Sequence, residues 1–474
     1  MANTRALYVD LDGTLIAADV LHESLFKLPR VAPWALLKLP LWVARGKAVL
    51  KRELADRVDI DVTTLPYRPE VLAMIQAARD KGRRVVLATA SDEKFAHEIA
   101  RHLDLFDAVL ASDGDRNLSG AAKLDAIKVD AGGEPFDYIG DQPVDLPIWR
   151  EADEAVVVGS TGRLAARAAR HTPATTHLEI PSVAFHRYLY GVRLHQWLKN
   201  LLIFLPLLPV LHELDASLIG NACIAFLAFG LMASSIYVLN DLLDLESDRR
   251  HKRKKFRPFA SGEISIADGM QMSVSLATTS LLISVLALPW QFMAMLTLYL
   301  ALTLAYSFFL KRRALVDVFA LAGLYTVRVG AGAAAAGLPL SYWMLSFSIF
   351  LFLSLALAKR YVELMGTQEE IDRMSRERGY HAVDMPFVLC AGIAAGQMAA
   401  LLLSLYFHDQ DMMLRYSEPQ LLWTLVPVFL FWVLRIWLKA VRGALHDDPV
   451  VFAARDWVSQ LTVCIAAIVL WAAG

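Results

Sequence analysis

Residues 240–258 read Asn240-Asp-Leu-Leu-Asp244-Leu-Glu-Ser-Asp248-Arg-Arg-His-Lys-Arg-Lys-Lys-Phe-Arg257-Pro. Asp241, Asp244 and Asp248 fall three and four positions apart, so a helix continuing through them presents all three on one face. Carboxylates that close repel one another unless a cation sits between them. Hard divalent ions are the usual solution, and Mg2+ commonly brings a phosphate ligand with it. The basic run that follows can hold that phosphate or an anionic lipid, with a solvated juxtamembrane loop as the plain alternative. A second polar set lies upstream: Asp10-Leu-Asp12-Gly-Thr14, Thr89-Ala-Ser91, Lys123 and Gly140-Asp141-Gln-Pro-Val-Asp145.

Two different supports must hold these groups. The chain averages 56% hydrophobic residues with a formal net charge of -1, but that average hides a break. Residues 1–175 have the charged, alternating texture of an α/β domain, and 176–195 read as a linker with an interfacial helix. Long apolar runs dominate 196–474. Short apolar segments at Ala6–Val9, Val85–Ala88, Ala108–Ala111, Tyr138–Ile139 and Ala155–Val158 alternate with helical ones, as in a parallel sheet. Three of them run into the upstream polar groups, at the strand ends where such sheets put ligands. Nine spans are expected near 196–212, 217–240, 270–288, 291–310, 315–337, 341–358, 387–407, 420–438 and 457–473. Loops after the even spans carry Arg249 to Arg257, Lys311-Arg-Arg, Lys359-Arg360 with Arg373, Arg376 and Arg378, and Lys439, Arg442 and Arg455; those after spans one, three, five and seven carry only Arg415. That asymmetry puts the even loops and the N-terminal domain in the cytoplasm and the C-terminus outside, in the cytoplasmic membrane. The N-terminus has no signal-peptide pattern, in agreement. Cys223, Cys390 and Cys464 sit in apolar runs without ligand spacing and are expected in the core.

The upstream set, in its order along the chain, resembles the haloacid dehalogenase (HAD) superfamily over residues 5–170. The resemblance implies an α/β Rossmann-like domain with a helical cap at about 15–84. It makes Asp10 the nucleophile that takes up the phosphoryl group, and Asp12 the acid that protonates the leaving oxygen and then activates water. Thr89 and Lys123 would hold phosphoryl oxygens, with Lys128 the alternative lysine. Asp10, the backbone at Asp12, and Asp141 would bind Mg2+, with Asp145 in support. The chemistry is consistent: carboxylate attack on phosphorus needs a metal and a cation to offset charge. Within the cap, the apolar and basic stretch Leu25–Lys51 with Trp34 and Trp42 reads as cap core, or as a surface lying on membrane or lipid.

The second half resembles the UbiA superfamily of intramembrane transferases, whose aspartate motifs hold Mg2+ and a diphosphate at the mouth of a lipid-lined cavity. The usual second DxxxD motif is incomplete here: Asp317 is present, and Leu321 stands where its partner belongs. Arg193-Leu-His-Gln196-Trp197-Leu-Lys199-Asn200, Tyr306-Ser-Phe-Phe-Leu-Lys311, Lys359-Arg360-Tyr361-Val-Glu363-Leu and His446-Asp447-Asp448-Pro449 are similar to the decaprenyl-phosphate phosphoribosyltransferase branch, from which Lys252 departs. The resemblance implies transfer from phosphoribosyl pyrophosphate (PRPP) to a polyprenyl phosphate. Asp241, Asp244 and Asp248 would then hold Mg2+ on pyrophosphate, with Asp317 opposite. Lys199, Arg257, Lys311, Arg328 and Lys359 are candidates for phosphate oxygens. Asn240 would orient metal or ribose, or else bridge helices.

Joined in one chain, the two halves suggest phosphoribosyl transfer to the lipid followed by removal of the 5-phosphate, with Mg2+ in both domains. One alternative is isoprenoid transfer from a diphosphate to an aromatic or other acceptor, beside a phosphatase of unrelated substrate. The other is a lipid-phosphate binder or transporter with a regulatory phosphatase. Nucleic-acid binding has no support, since the basic residues flank membrane spans and do not interleave with aromatics.

Overall fold

A computed structural model describes residues 5–159, 161–445 and 448–474. His446 and Asp447 of the last motif lie outside the described residues. The chain forms two compact units: residues to Val192 together with Tyr237–Ser273, and Arg193–Ile236 together with Val274–Gly474. The first unit therefore reaches past residue 175 and takes in the whole aspartate-rich segment.

Its centre is a six-stranded parallel sheet in the order β3-β2-β1-β4-β5-β6. The strands are β1 (Ala6–Val9), β2 (Val85–Asp92), β3 (Ala108–Ser112), β4 (Phe136–Gly140), β5 (Glu154–Gly159) and β6 (Ala174–Glu179). Apolar side chains cover both faces of the inner strands: Leu7, Val9 and Val85 pack on one side, Tyr8, Val86 and Tyr138 on the other. Such burial fixes the register, so the carboxyl ends of β1, β2 and β4 come level and bring their polar residues together. The cap contains helices α1 (Val20–Val31), α2 (Leu39–Arg45) and α3 (Lys47–Ala55) around Leu28, Trp42, Leu50 and Leu54. Asp19 caps α1 by accepting from the His22 amide at 3.1 Å.

The second unit is helical. Among the described residues, eight helices are long and apolar enough to cross a membrane. A ninth arises if Pro449–Arg455 and Trp457–Ala473, bent by 75°, count as one broken span. The first, Leu194–Glu213, is wound as a tight 3-10 helix kinked at Val210, because Pro206 and Pro209 remove backbone donors. Val316–Ala335 is its most enclosed helix, and the run Gly330-Ala-Gly-Ala-Ala-Ala335 lets neighbours come close. At Gly332 any side chain would meet the Ile203 carbonyl oxygen at 2.0 Å. The cysteines are not core residues: Cys223, Cys390 and Cys464 are all exposed on their helices. In a span the outward face is the apolar one, so sequence hydropathy alone does not separate core from lipid-facing positions.

Candidate active sites

At the carboxyl end of the sheet, Asp10 Oδ1 lies 2.9 Å from the Lys123 ammonium and accepts from the Leu11 amide at 2.8 Å. Lys123 is buried and also meets the Tyr138 hydroxyl at 3.0 Å, which in turn donates to Asp145 Oδ1 at 3.0 Å. Asp145 accepts from the Gln142 amide at 3.2 Å, and Asp141 accepts from the Thr14 hydroxyl at 2.9 Å. Carboxylate oxygens of Asp10, Asp141 and Asp145 lie within 4.8 Å of one another, the one such convergence among the described residues. Three hard oxygens at that spacing fit Mg2+. Gly13 makes the approach possible: its φ is +77°, and a Cβ there would meet Asp141 Oδ2 at 2.2 Å. Lys128 is elsewhere, paired with Glu151 at 3.1 Å, which leaves Lys123 as the lysine of the site.

The Asp12 side chain is not part of that convergence. It accepts from the Ser91 hydroxyl at 2.5 Å and from the Val20 amide at 2.8 Å. Thr89 is fully buried, and its hydroxyl accepts from the Ser91 amide at 3.0 Å. Ser91 is the residue to add to this set: it lies in the same strand two positions on, on the same side of the pleat. Lys51 of α3 reaches the site's edge, bonded to the Ala90 carbonyl and to Asn117 Oδ1 at 2.8 Å.

Burial, together with Asp19 and Asp10, pushes the Asp12 carboxyl up to about 7. Burial and then Asp10 raise Asp141 to about 8, and the same pair raises Asp145 to about 6. Burial opposes the Lys123 charge, but Asp10 and Asp145 outweigh it and hold the ammonium above its ordinary value. The site thus concentrates more negative charge than one lysine offsets, which is the electrostatic condition for a divalent cation.

The aspartate-rich segment of the same unit is built differently from the expected single helical face. The helix Ala216–Leu243 ends, Asp244 takes φ -99° and ψ 9°, and Leu245–Arg250 resumes. Asp241 and Asp248 still share a face and one cation: Arg257 Nη1 lies 3.0 Å from Asp241 and 2.6 Å from Asp248. Asp244 turns instead to Arg30 of α1, and the neighbouring Glu246 pairs with Lys27. Asp241 and Asp248, which share the Arg257 guanidinium, are hard oxygen donors of the kind a divalent cation takes. Asn240 is half-buried in the last turn of its helix.

In the second unit, Lys199 and Lys359 converge on Asp448 Oδ2 at 3.0 and 3.4 Å, with the Tyr325 hydroxyl 3.3 Å from both carboxylate oxygens. Burial alone would raise the Asp448 carboxyl, but the two lysines hold it far below the usual range. Arg328 is buried against Asn200 Oδ1 at 3.0 Å, the Leu324 carbonyl and the Tyr299 hydroxyl, with its plane over the Tyr299 ring. Asp317 is buried and engaged by neighbouring side chains. Its oxygens accept from Arg360 Nε and the Tyr380 hydroxyl, each at 2.7 Å, and Arg360 also pairs with Glu363. Lys311 lies in the short turn Leu310–Arg312 and is not part of the Asp448 cluster.

Fold and residues together define a polytopic helical membrane enzyme joined to a phosphatase-like α/β domain. Residues 210–457, more than half of the chain, match the model of the UbiA prenyltransferase family, and the chain belongs to that family. Residues 7–150 match haloacid dehalogenase-like hydrolases. Uncharacterized protein y4nM of Sinorhizobium fredii is 39% identical over 96% of this chain and 88% of its own length. Nodulation protein NoeC of Azorhizobium caulinodans is 33% identical over 61% of this chain and 92% of its own. Decaprenyl-phosphate phosphoribosyltransferase of Mycobacterium tuberculosis is 31% identical over 57% of this chain and 88% of its own.

Proposed function

We propose that the chain is a two-step membrane enzyme. It moves 5-phosphoribose from PRPP to a polyprenyl phosphate, and its N-terminal domain then removes the 5-phosphate from the lipid-linked product. The reading places the N-terminal domain and the basic loops on the cytoplasmic side of the cytoplasmic membrane, where PRPP is available. The observation that carries it is the meeting of Lys199, Lys359 and Asp448, from three separate motifs of phosphoribosyltransferase type, around one carboxylate.

In the first step an oxygen of the lipid phosphate attacks the anomeric carbon of ribose, and the bond to pyrophosphate breaks. Lys199 and Lys359 hold phosphate oxygens, each released from Asp448 by the incoming anion. Arg257 moves from carboxylates to the leaving pyrophosphate, where a cation is needed most as charge builds. Asp241, Asp244 and Asp248 would hold Mg2+, which would supply the remaining charge neutralisation; Asp244 would join the other two on leaving Arg30. Arg328 and Asp317 are given positioning parts, since both are engaged by neighbouring side chains. In the second step the Asp10 carboxylate attacks phosphorus, Asp12 protonates the departing sugar oxygen, and Asp12 then takes a proton from the water that frees Asp10. Asp10, Asp141 and Asp145 would hold Mg2+, which would lower the cost of bringing that anionic nucleophile to a phosphate. Lys123 and Thr89 orient the phosphoryl group, and Ser91 holds Asp12 in place.

The test is incubation of purified protein with Mg2+, PRPP and a long-chain polyprenyl phosphate, with lipids read by mass spectrometry. Pentose on the lipid is the expected product. Untouched donor and acceptor overturn the reading and leave isoprenoid transfer as the reaction to assay.

A further inference from the structure

The cap carries a surface that neither chemical step uses. Residues 24–52 contain seven lysines and arginines and no acid. Their inward side chains, Leu28, Ala35, Trp42 and Leu50, fill the cap's own core. Their outward ones are just as apolar: Trp34 is 81% exposed, Leu37 80%, Val43 62% and Leu41 51%. Four large bare apolar residues within ten positions are out of place on a surface that meets only water.

The cations divide in the same way. Lys27, Arg30 and Arg52 pair with Glu246, Asp244 and Glu93, and Lys51 is bonded at the edge of the phosphatase site. Lys38, Arg45 and Lys47 flank the bare apolar residues, are exposed, and have no ion pair among the described residues. Apolar residues ringed by unpaired cations are complementary to one surface above others, an anionic lipid leaflet. The position of the segment agrees. Asp244 directly follows Leu243, the last residue of a membrane-length helix. Arg30 pairs with Asp244, and Phe26 of α1 packs in the cluster of Leu242, Leu245 and Phe259. The carboxyl end of α1 is therefore fastened to the stretch where a membrane-length helix ends, and the bare segment starts at Pro33, two residues after α1.

We propose that Pro33–Lys47 is a membrane-seated platform: Trp34, Leu37, Leu41 and Val43 enter the headgroup–acyl boundary, and Lys38, Arg45 and Lys47 bind lipid phosphates. Resting on the reading above, this gives the phosphatase its substrate class, a phosphomonoester carried on a lipid in the same leaflet, in preference to a free sugar phosphate.

The experiment uses full-length protein in nanodiscs containing phosphatidylglycerol, with Cys223, Cys390 and Cys464 replaced by alanine. A nitroxide at Leu37→Cys is compared with one at Val129→Cys, an exposed site on the sheet domain. The Leu37 label is expected to be reached by oxygen and shielded from a water-soluble nickel chelate, and the Val129 label the reverse. Equal nickel access at both sites overturns the proposal. So does spin–spin broadening at position 37 that vanishes on dilution with unlabelled protein, which would make a second copy the occupant. In a parallel assay, Trp34→Ser with Leu37→Ser should slow hydrolysis of lipid-borne pentose 5-phosphate about tenfold and leave p-nitrophenyl phosphate unaffected. A label seated in lipid with neither substrate affected keeps the platform and discards the lipid-borne substrate.

Discussion

Lys123 is the residue on which the phosphatase site depends most, because two buried acids share it. Replacing it with alanine leaves Asp10 and Asp145 without a counter-charge, a change that typically costs about 3–5 kcal/mol. Lys123→Ala should therefore lower the thermal transition of the N-terminal unit and abolish phosphatase turnover, whereas Lys128→Ala should alter neither. Differential scanning calorimetry alongside phosphate release checks both. In the membrane unit, Asp448→Asn removes the charge that gathers Lys199 and Lys359. It should raise the KM for PRPP about tenfold, the worth of one charge-assisted hydrogen bond, and lower the thermal transition of the membrane unit, since two converging lysines lose their shared counter-charge. At this scale the sequence was informative where spacing is local. Asp10, Asp12, Lys123, Asp141 and Asp145 all lie at strand ends or helix starts that a short apolar run announces. Asp448 as the partner of two distant lysines was not legible, since it depends on the packing of Lys199, Tyr325 and Lys359 around it.

Elements explain the one place where periodicity misled. Spacing of three and four predicts a continuous face for Asp241, Asp244 and Asp248, and the backbone nearly obliges: the Asp244 and Asp248 amides still donate to carbonyls four residues earlier. Asp244 is nonetheless drawn to Arg30, more than two hundred residues away, and no local pattern encodes that pair. Arg30→Glu sets like charges against each other there. It should loosen α1 and be seen as faster hydrogen exchange across Val20–Val31, while Arg45→Glu, at a residue with no ion pair among the described residues, should not. Gly13 tests the loop after β1. Gly13→Ala forces a side chain into the space of Asp141, so Mg2+ half-saturation for the phosphatase should rise at least about tenfold with the sheet intact. The strands and spans were legible from apolar periodicity and length. The 3-10 winding of Leu194–Glu213 and the bend before Trp457 were not, since each answers to neighbours or prolines that hydropathy does not weigh.

At the scale of the whole molecule, two phosphate-handling sites on one chain make sense if the product of one is the substrate of the other. A lipid-linked sugar phosphate cannot diffuse away from the leaflet, so tethering raises its concentration at the second site. The account requires the two chemistries to be separable and ordered. Asp241→Asn should stop pentose transfer while p-nitrophenyl phosphate hydrolysis continues. The most direct measurement compares wild-type protein with Asp10→Asn, each supplied with Mg2+, PRPP and polyprenyl phosphate, and follows lipid masses over time. Wild type should end at lipid-linked pentose without its 5-phosphate, and Asp10→Asn should stop at lipid-linked pentose 5-phosphate. If both proteins yield the same lipid, or neither adds pentose, the two sites do not act in series and the account is contradicted.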